Sequence, residues 1–271
     1  MLGERIITVI AILGVLLLIV FFTNNLVFSL FLSIVTLIAA WEWTKLAGIR
    51  KQVNRCLYCF GFILFCGLAY TVLQNHLLVL LSLSLTFWAL SLFLICTYPR
   101  YKNHWNNPYI ISFMGFLALF PCWFILLHLR DSEEFTFNFL SLIALVASAD
   151  IGAYFAGKKF GKHKLAEMVS PKKTWEGVGG GIISCSFLVI VLNNSNILVQ
   201  VETNNWLVLL TTPFLISFFS IVGDLFESML KRVRGMKDSG NILPGHGGVL
   251  DRIDGVISTT PAYFLMLIYL I

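Results

Sequence analysis

The sequence predicts an all-α polytopic membrane protein of about nine transmembrane helices, with the N-terminus cytoplasmic and the C-terminus external. Three observations predict it. Of 271 residues, 58% are apolar and only 12% charged, where a soluble domain carries about 25% charged residues, and the mean hydropathy is +0.85. Apolar stretches of 17 residues or more recur along the chain, each long enough to cross a hydrocarbon core about 30 Å thick. Finally, 18 of the 19 basic residues fall on one side of the arrangement that these stretches define.

The first stretch, 6–22, follows Glu4 and Arg5 and runs into Phe21-Phe22-Thr23-Asn24-Asn25 with no small-residue cleavage site. It therefore reads as a membrane helix and not as a removable signal. Stretches 26–42, 56–73, 77–97 and 109–129 complete five spans over residues 1–130. Stretches 137–156, 176–192, 206–224 and 254–271 lie in a second, candidate catalytic region, 131–271, with loops at about 157–175 and 225–253. Backbone groups in lipid must bond within their own segment, so each stretch is expected to be helical. No connection exceeds about thirty residues, which excludes a soluble domain. Five of the six cysteines lie inside these stretches and Cys56 sits at a boundary. The lone CxxC of Cys56 and Cys59 has no second pair or nearby histidine to complete a zinc site, and apolar packing accounts for it.

With the N-terminus inside, the inward segments hold Arg5, then Lys45, Arg50, Lys51 and Arg55, then Arg100 and Lys102. They also hold Lys158, Lys159, Lys162, Lys164, Lys172 and Lys173, and Lys231, Arg232, Arg234, Lys237 and Arg252; only Arg130 falls outside. Basic residues collect in cytoplasmic loops, so the split supports the helix count and puts both loops of the second region inside. The net charge of +5 then describes a basic cytoplasmic face suited to anionic headgroups or phosphates. Nucleic acid is excluded as a partner, because these residues lie against the bilayer. A homodimer is admitted.

The two most basic loops carry the unusual residues. In "SADIGAYFAGKKFGKHKLAEMVSPKKTWEG", residues 148–177, Asp150 lies within an apolar stretch. An ionised carboxylate costs about 2.5–3.5 kcal/mol at a helix centre, so an intramembrane acid marks a functional site or a partner for a lysine such as Lys158. Lys162 and Lys164 read as orientation signals. Lys172 and Lys173 precede the seventh stretch, where free N–H groups attract anions, and two ammonium groups there suit a polyphosphate. The glycines at 177, 179, 180 and 181 do not form a GxxxxGK[ST] loop; close helix packing is their expected role.

In "SIVGDLFESMLKRVRGMKDSGNILPGHGGVLDRIDG", residues 220–255, Ser220, Asp224, Glu227 and Lys231 are spaced to share one helix face. A polar stripe on an apolar helix is expected to face a wet cavity. Asp251 and Asp254 share a face if the last helix begins near them. Between them run Gly235, Gly240, Pro244, Gly245, Gly247 and Gly248, and glycines permit close backbone approach and anion-binding nests. Carboxylates from two helix ends, with bases and glycines between, suit a divalent cation holding a polyphosphate. Magnesium takes one or two carboxylates plus phosphates and water. His246 is a poor magnesium ligand and is expected to bond a phosphate or order the loop.

This stretch resembles the signature of the phosphatidate cytidylyltransferases, or CDP-diacylglycerol synthases. The resemblance rests on Ser228, Lys231, Arg232, Lys237, Asp238, Gly240, Leu243, Pro244, His246, Gly247, Gly248, Asp251, Arg252 and Asp254. "DIGAYFAGKKFGKHKL", "SPKKTWEG" and "GDLFES" are also similar to that family, so the likeness covers about residues 148–260; Ile151 and Gly255 depart from it, standing where threonine and serine are expected. The resemblance implies that CTP and phosphatidate give CDP-diacylglycerol and pyrophosphate at the cytoplasmic face of a bacterial inner membrane. Magnesium is the implied cofactor, with a second metal ion admitted. It implies Asp224 and Asp251 as metal ligands, with Asp254 and Asp238 next. Asp224, Asp251, Lys237 and Arg252 become the candidate catalytic residues. Asp150, Lys172, Lys173, Ser220, Lys231, Arg232, His246, Gly247 and Gly248 become candidates for substrate binding. Phosphatidate brings its own phosphate nucleophile, so catalysis reduces to positioning and charge neutralisation. A CDP-alcohol phosphotransferase is demoted by the absence of its D-G-x2-A-R signature. A CTP-dependent lipid kinase is separable by label position, and a proton-coupled transporter would put its acids at the midplane.

Overall fold

A computed structural model describes residues 2–194 and 206–270. The elements run α1 (Leu2–Phe22), α2 (Asn25–Leu46), α3 (Gln52–Leu73), α4 (Leu77–Thr97), α5 (Lys102–Trp105), α6 (Pro108–Arg130), α7 (Phe135–Phe160), β1 (Lys164–Ala166), β2 (Ser170–Thr174), α8 (Trp175–Asn194), α9 (Trp206–Val233) and α10 (Leu250–Leu270). As far as the described residues extend, every apolar stretch of the sequence lies on a helix, and the protein is an all-α polytopic membrane protein. Among the described residues, seven helices are long and apolar enough to cross a membrane: α2, α3, α4, α6, α7, α8 and α9. The outer loop expected after the seventh stretch falls at 195–205, outside the described residues, as does the side chain of Arg5 expected on the inner side.

Three boundaries differ from the sequence expectation for identifiable reasons. Helix α9 continues to Val233, past the end of its apolar stretch, because Asp224, Glu227 and Lys231 turn inward and pair instead of ending the helix. Helix α10 begins at Leu250, so Asp251 sits in its first turn, where a carboxylate meets free N–H groups and the positive end of the helix dipole. The loop expected at 157–175 is shortened from both sides. Helix α7 runs on to Phe160, and the remainder folds as an antiparallel β1–β2 hairpin with Lys164 opposite Thr174 and Ala166 opposite Ser170.

The hairpin is closed at its base. Thr174 caps α8 by accepting the Gly177 N–H at 3.1 Å, and Glu176 in the first turn accepts the backbone N–H groups of Lys162 and His163. Below it, α7 and α8 run side by side with backbones nearly touching. A Cβ at Gly180 would strike Ala156 and the Gly152 carbonyl, and one at Gly152 would strike Ser184 and the Gly180 carbonyl. That close approach is the packing role expected of Gly177, Gly180 and Gly181; Gly179 faces open space and has no such role. Helices α9 and α10 are similarly close, since a Cβ at Gly223 would meet Ser258 and the Asp254 carbonyl.

The first half of the chain braces this pair. The Trp43 indole on α2 donates to the Ile111 carbonyl of α6 at 2.7 Å. Phe87 and Trp88 of α4 pack edge-on against Phe226 of α9 with ring centroids 5.6 and 5.9 Å apart. These contacts leave α2 beside the start of α10, which matters below.

Candidate active site

A cavity of about 760 Å³ lies between the hairpin, α7, the start of α8, α9 and the N-terminal turn of α10. Asp150 and Lys158 enter from α7, Lys164, Lys172 and Lys173 from the hairpin, and Ser220, Asp224 and Lys231 from α9. Asp238, Asp251, Arg252 and Asp254 complete it from the 234–249 loop and α10. Five carboxylates thus face six bases in one space. A cavity so balanced can accept a cation and an anion together without leaving either sign uncompensated.

Two ion pairs organise the charges. Lys173 Nζ stands 2.7 Å from Asp224 Oδ2, and Asp224 Oδ1 also accepts from the Ser228 hydroxyl at 3.1 Å. Lys231 Nζ stands 2.7 Å from Asp251 Oδ1 and 3.2 Å from Glu227 Oε1, with all three side chains nearly out of solvent. Removing one member of a pair as buried as Lys231–Asp251 costs about 3–5 kcal/mol, because the other is left uncompensated. The second oxygen of Asp251 accepts three more donors, the Ser239 N–H, the Ser239 hydroxyl and the Gly248 N–H, each at 2.9 Å. Asp254 Oδ1 accepts from the Gly255 N–H at 2.8 Å. Asp150 takes the Ser220 hydroxyl at 3.1 Å as its hydrogen-bond partner.

Of the residues singled out in the sequence, Asp150, Lys172, Lys173, Ser220, Asp224, Lys231, Asp238, Asp251, Arg252 and Asp254 meet in this cavity. Arg232, Lys237, His246, Gly247 and Gly248 are not among its lining residues. Arg232 Nε donates to the Val169 carbonyl at 3.2 Å, tying α9 to the hairpin turn. Lys237 is exposed. The His246 carbonyl accepts from the Arg252 guanidinium at 2.8 Å, which orders the loop. The Gly248 N–H is spent on Asp251, so it is not free for an anion. Lys164, read from sequence as an orientation signal, lines the cavity and donates to the Pro171 carbonyl at 2.6 Å.

Sequence reasoning passed over Glu42. It lies on α2, is 0% exposed, and its Oε2 accepts the Leu250 N–H at 2.8 Å. The signal was present, an acid at the edge of an apolar stretch, the same signal that drew attention to Asp150.

The cytidylyltransferase family model matches residues 3–270. A phosphatidate cytidylyltransferase of Pseudomonas aeruginosa is 40% identical over 267 residues, covering 98% of this chain and 97% of that relative. One from Haemophilus influenzae is 35% identical over 283 residues, covering 97% of each. One from Bacillus subtilis is 36% identical over 187 residues, covering 66% of this chain and 68% of the relative.

The division of the hairpin lysines is testable. Lys173 reaches Asp224 within the cavity, whereas Lys162 lies outside its lining. Losing a charge-assisted contact to phosphate costs about 1.5–3 kcal/mol, so Lys173→Ala should weaken the apparent affinity for a nucleoside triphosphate at least about tenfold. Lys162→Ala should leave it unchanged. Equal substrate dependence in the two variants would refute the division.

Proposed function

The chain belongs to the cytidylyltransferase family and is a nucleotidyltransferase, and from that premise we propose that it transfers a cytidylyl group from CTP to phosphatidate. The products are CDP-diacylglycerol, for phospholipid synthesis, and pyrophosphate. One observation carries the reading: carboxylates and ammonium groups alternate in a single cavity at the ends of membrane helices, with Lys173–Asp224 and Lys231–Asp251 as its pairs. Such a cavity fits a triphosphate with its cation, and its position beside Tyr154 and Ile221 on membrane helices suits a lipid phosphate arriving from the side.

Magnesium is the proposed cofactor, and the donor chemistry fits it. The described lining residues include no cysteine or histidine and offer five carboxylates, the hard oxygen donors that magnesium takes. Among the described residues no three His, Cys, Asp or Glu side chains form a ready metal cluster; magnesium needs only one or two carboxylates beside phosphates and water. Asp224 and Asp251 would hold it, then Asp254 and Asp238, with Asp251 contributing the oxygen it shares with Lys231. A bound magnesium ion would neutralise the charge that develops on the triphosphate and on departing pyrophosphate.

The residues of the chain do the rest by placement. In the proposed step an oxygen of the lipid phosphate forms a bond to the α-phosphorus of CTP. The bond from that phosphorus to the bridging α–β oxygen breaks, and pyrophosphate leaves with the electron pair. Lys172, Lys173 and Arg252 hold phosphate oxygens, and Lys237, next in sequence to the cavity-lining Asp238, meets the outer phosphates. In the Lys173–Asp224 pair each group has an alternative partner in the substrate, Lys173 a phosphate and Asp224 the cation, so binding exchanges partners without stranding a charge. Asp150 and Ser220 form the inner wall, Arg232 ties α9 to the hairpin turn, and His246, Gly247 and Gly248 keep the loop in place.

The one-sided distribution of the basic residues supports nine spans, with α1 first, α10 last and the cavity facing the cytoplasm, and the bacterial relatives suit an inner membrane. In a background lacking native cysteines, a cysteine at Asn241 should react with an impermeant thiol reagent only after lysis, and one near Asn194 in intact cells. Equal labelling in intact cells would sink this orientation.

The activity itself is tested with detergent-purified protein. CTP labelled at the α-phosphate should label lipid only when phosphatidate and magnesium are both present, with pyrophosphate released. Label transferred from the γ-position alone would make the protein a lipid kinase.

Asp→Asn keeps size and one oxygen but removes charge. Asp224→Asn and Asp251→Asn should each lower the rate of cytidylyl transfer at least about a hundredfold. Asp131→Asn, at an exposed position bonded to Asn25, should leave it unchanged. Near-normal rates and an unaltered magnesium dependence in both site variants would remove them from the site.

A further inference from the structure

Helix α2 belongs to the half of the chain that the site motifs do not reach, yet it touches the 234–249 loop at its start, middle and end. At the start, Arg234 donates from Nε to the Leu46 carbonyl at 2.8 Å and from Nη2 to the Ala47 carbonyl at 2.9 Å. These are carbonyls at the C-terminus of α2, which have no partner within the helix. In the middle, the Ser239 hydroxyl lies 3.3 Å from Glu42 Oε2. At the end, the Leu250 N–H donates to the same oxygen at 2.8 Å. Leu250 opens α10, so its N–H is one of the groups a helix leaves without an internal acceptor, and Glu42 supplies that acceptor from another helix.

The glycines of the loop fit this arrangement. A Cβ at Gly240 would collide with Glu42 Oε1, and one at Gly248 would collide with the Ser239 hydroxyl and both Glu42 oxygens. Both glycines are buried and neither has positive φ. Close approach of the Glu42 carboxyl group, and not a turn, is what calls for glycine there. Ser239 joins the two systems, since its hydroxyl also reaches Asp251 Oδ2 at 2.9 Å.

We propose that Glu42 is a positioning residue for the reaction: it fastens the 239–250 segment to α2 and thereby fixes Asp251 in the cavity, without touching substrate. The proposal rests on the cytidylyl-transfer reading for its effect on rate, but the fastening is a property of the fold. It is measured without substrate as amide hydrogen exchange of the purified full-length protein. In Glu42→Ala, exchange across residues 238–250 should rise at least about tenfold while the hairpin, 164–174, is unchanged. Cytidylyl transfer should fall at least about tenfold in the same variant. Glu42→Gln, which keeps one acceptor oxygen for the Leu250 N–H, should recover a large part of both, and it carries the comparison if the alanine variant does not insert.

Gly240→Ala supplies a readout that a general loss of stability would not move. It should lower the rate in the otherwise unchanged protein and add nothing in the Glu42→Ala background, where the space it needs is vacant. Unchanged exchange at 238–250, an equal rise in the hairpin, a normal rate with a loosened loop, or additive effects of the two substitutions would each overturn the proposal. If the unaltered protein made no CDP-diacylglycerol, the reading of the activity would fall, and the exchange measurements would still decide the role of Glu42.

Discussion

The carboxyl group of Asp251 joins more of this structure than any other side chain in the site. One oxygen faces Lys231 of α9, and the other gathers the Ser239 and Gly248 donors of the loop. An ionised group this far from solvent is tolerable only when its lone pairs are filled. The requirement works in both directions. Lys231 can be buried on a membrane helix because Asp251 and Glu227 receive it, and the loop can be irregular because its free N–H groups end on a carboxylate. The cavity is the space left around this junction.

The same constraint explains which parts of the molecule could be read from the sequence. Membrane helices announce themselves by apolar length, so the seven such helices among the described residues were recognisable, and the spacing of Ser220, Asp224, Glu227 and Lys231 revealed a polar face whose members do meet in or behind the cavity. Hydropathy marks where a helix stops being greasy and not where it stops being a helix. That is why the ends of α7 and α9 were placed too early. The hairpin was missed because its strands are three and five residues long, with lysines and Pro171 where alternating apolar residues would have signalled a strand.

The site was legible in its charges and less so in its division of labour. Asp150 and Asp224 stood out because acids are costly in apolar helices, and Glu42 met the same criterion in a half of the chain with no motif to direct attention there. The glycines at 247 and 248 suggested a nest for an anion, but spacing says nothing of which donors are already engaged. Gly248 gives its N–H to Asp251 and its missing side chain to Glu42. Lys164 and Lys162 are two residues apart and the same residue type, but only Lys164 stands on β1 and lines the cavity, while Lys162 precedes the strand.

The glycine seam between α7 and α8 bears on how the two sides of the cavity are built. Backbone touches backbone at Gly152 and Gly180 and again beside Thr174 at Gly157 and Gly177, leaving no layer of side chains to act as a lubricant. The hairpin therefore stands on a tightly packed pair of helices. The opposite wall hangs from hydrogen bonds that can open one at a time. One wall of the cavity is thus set by backbone packing and the other by hydrogen bonds, so the two are built from different kinds of contact.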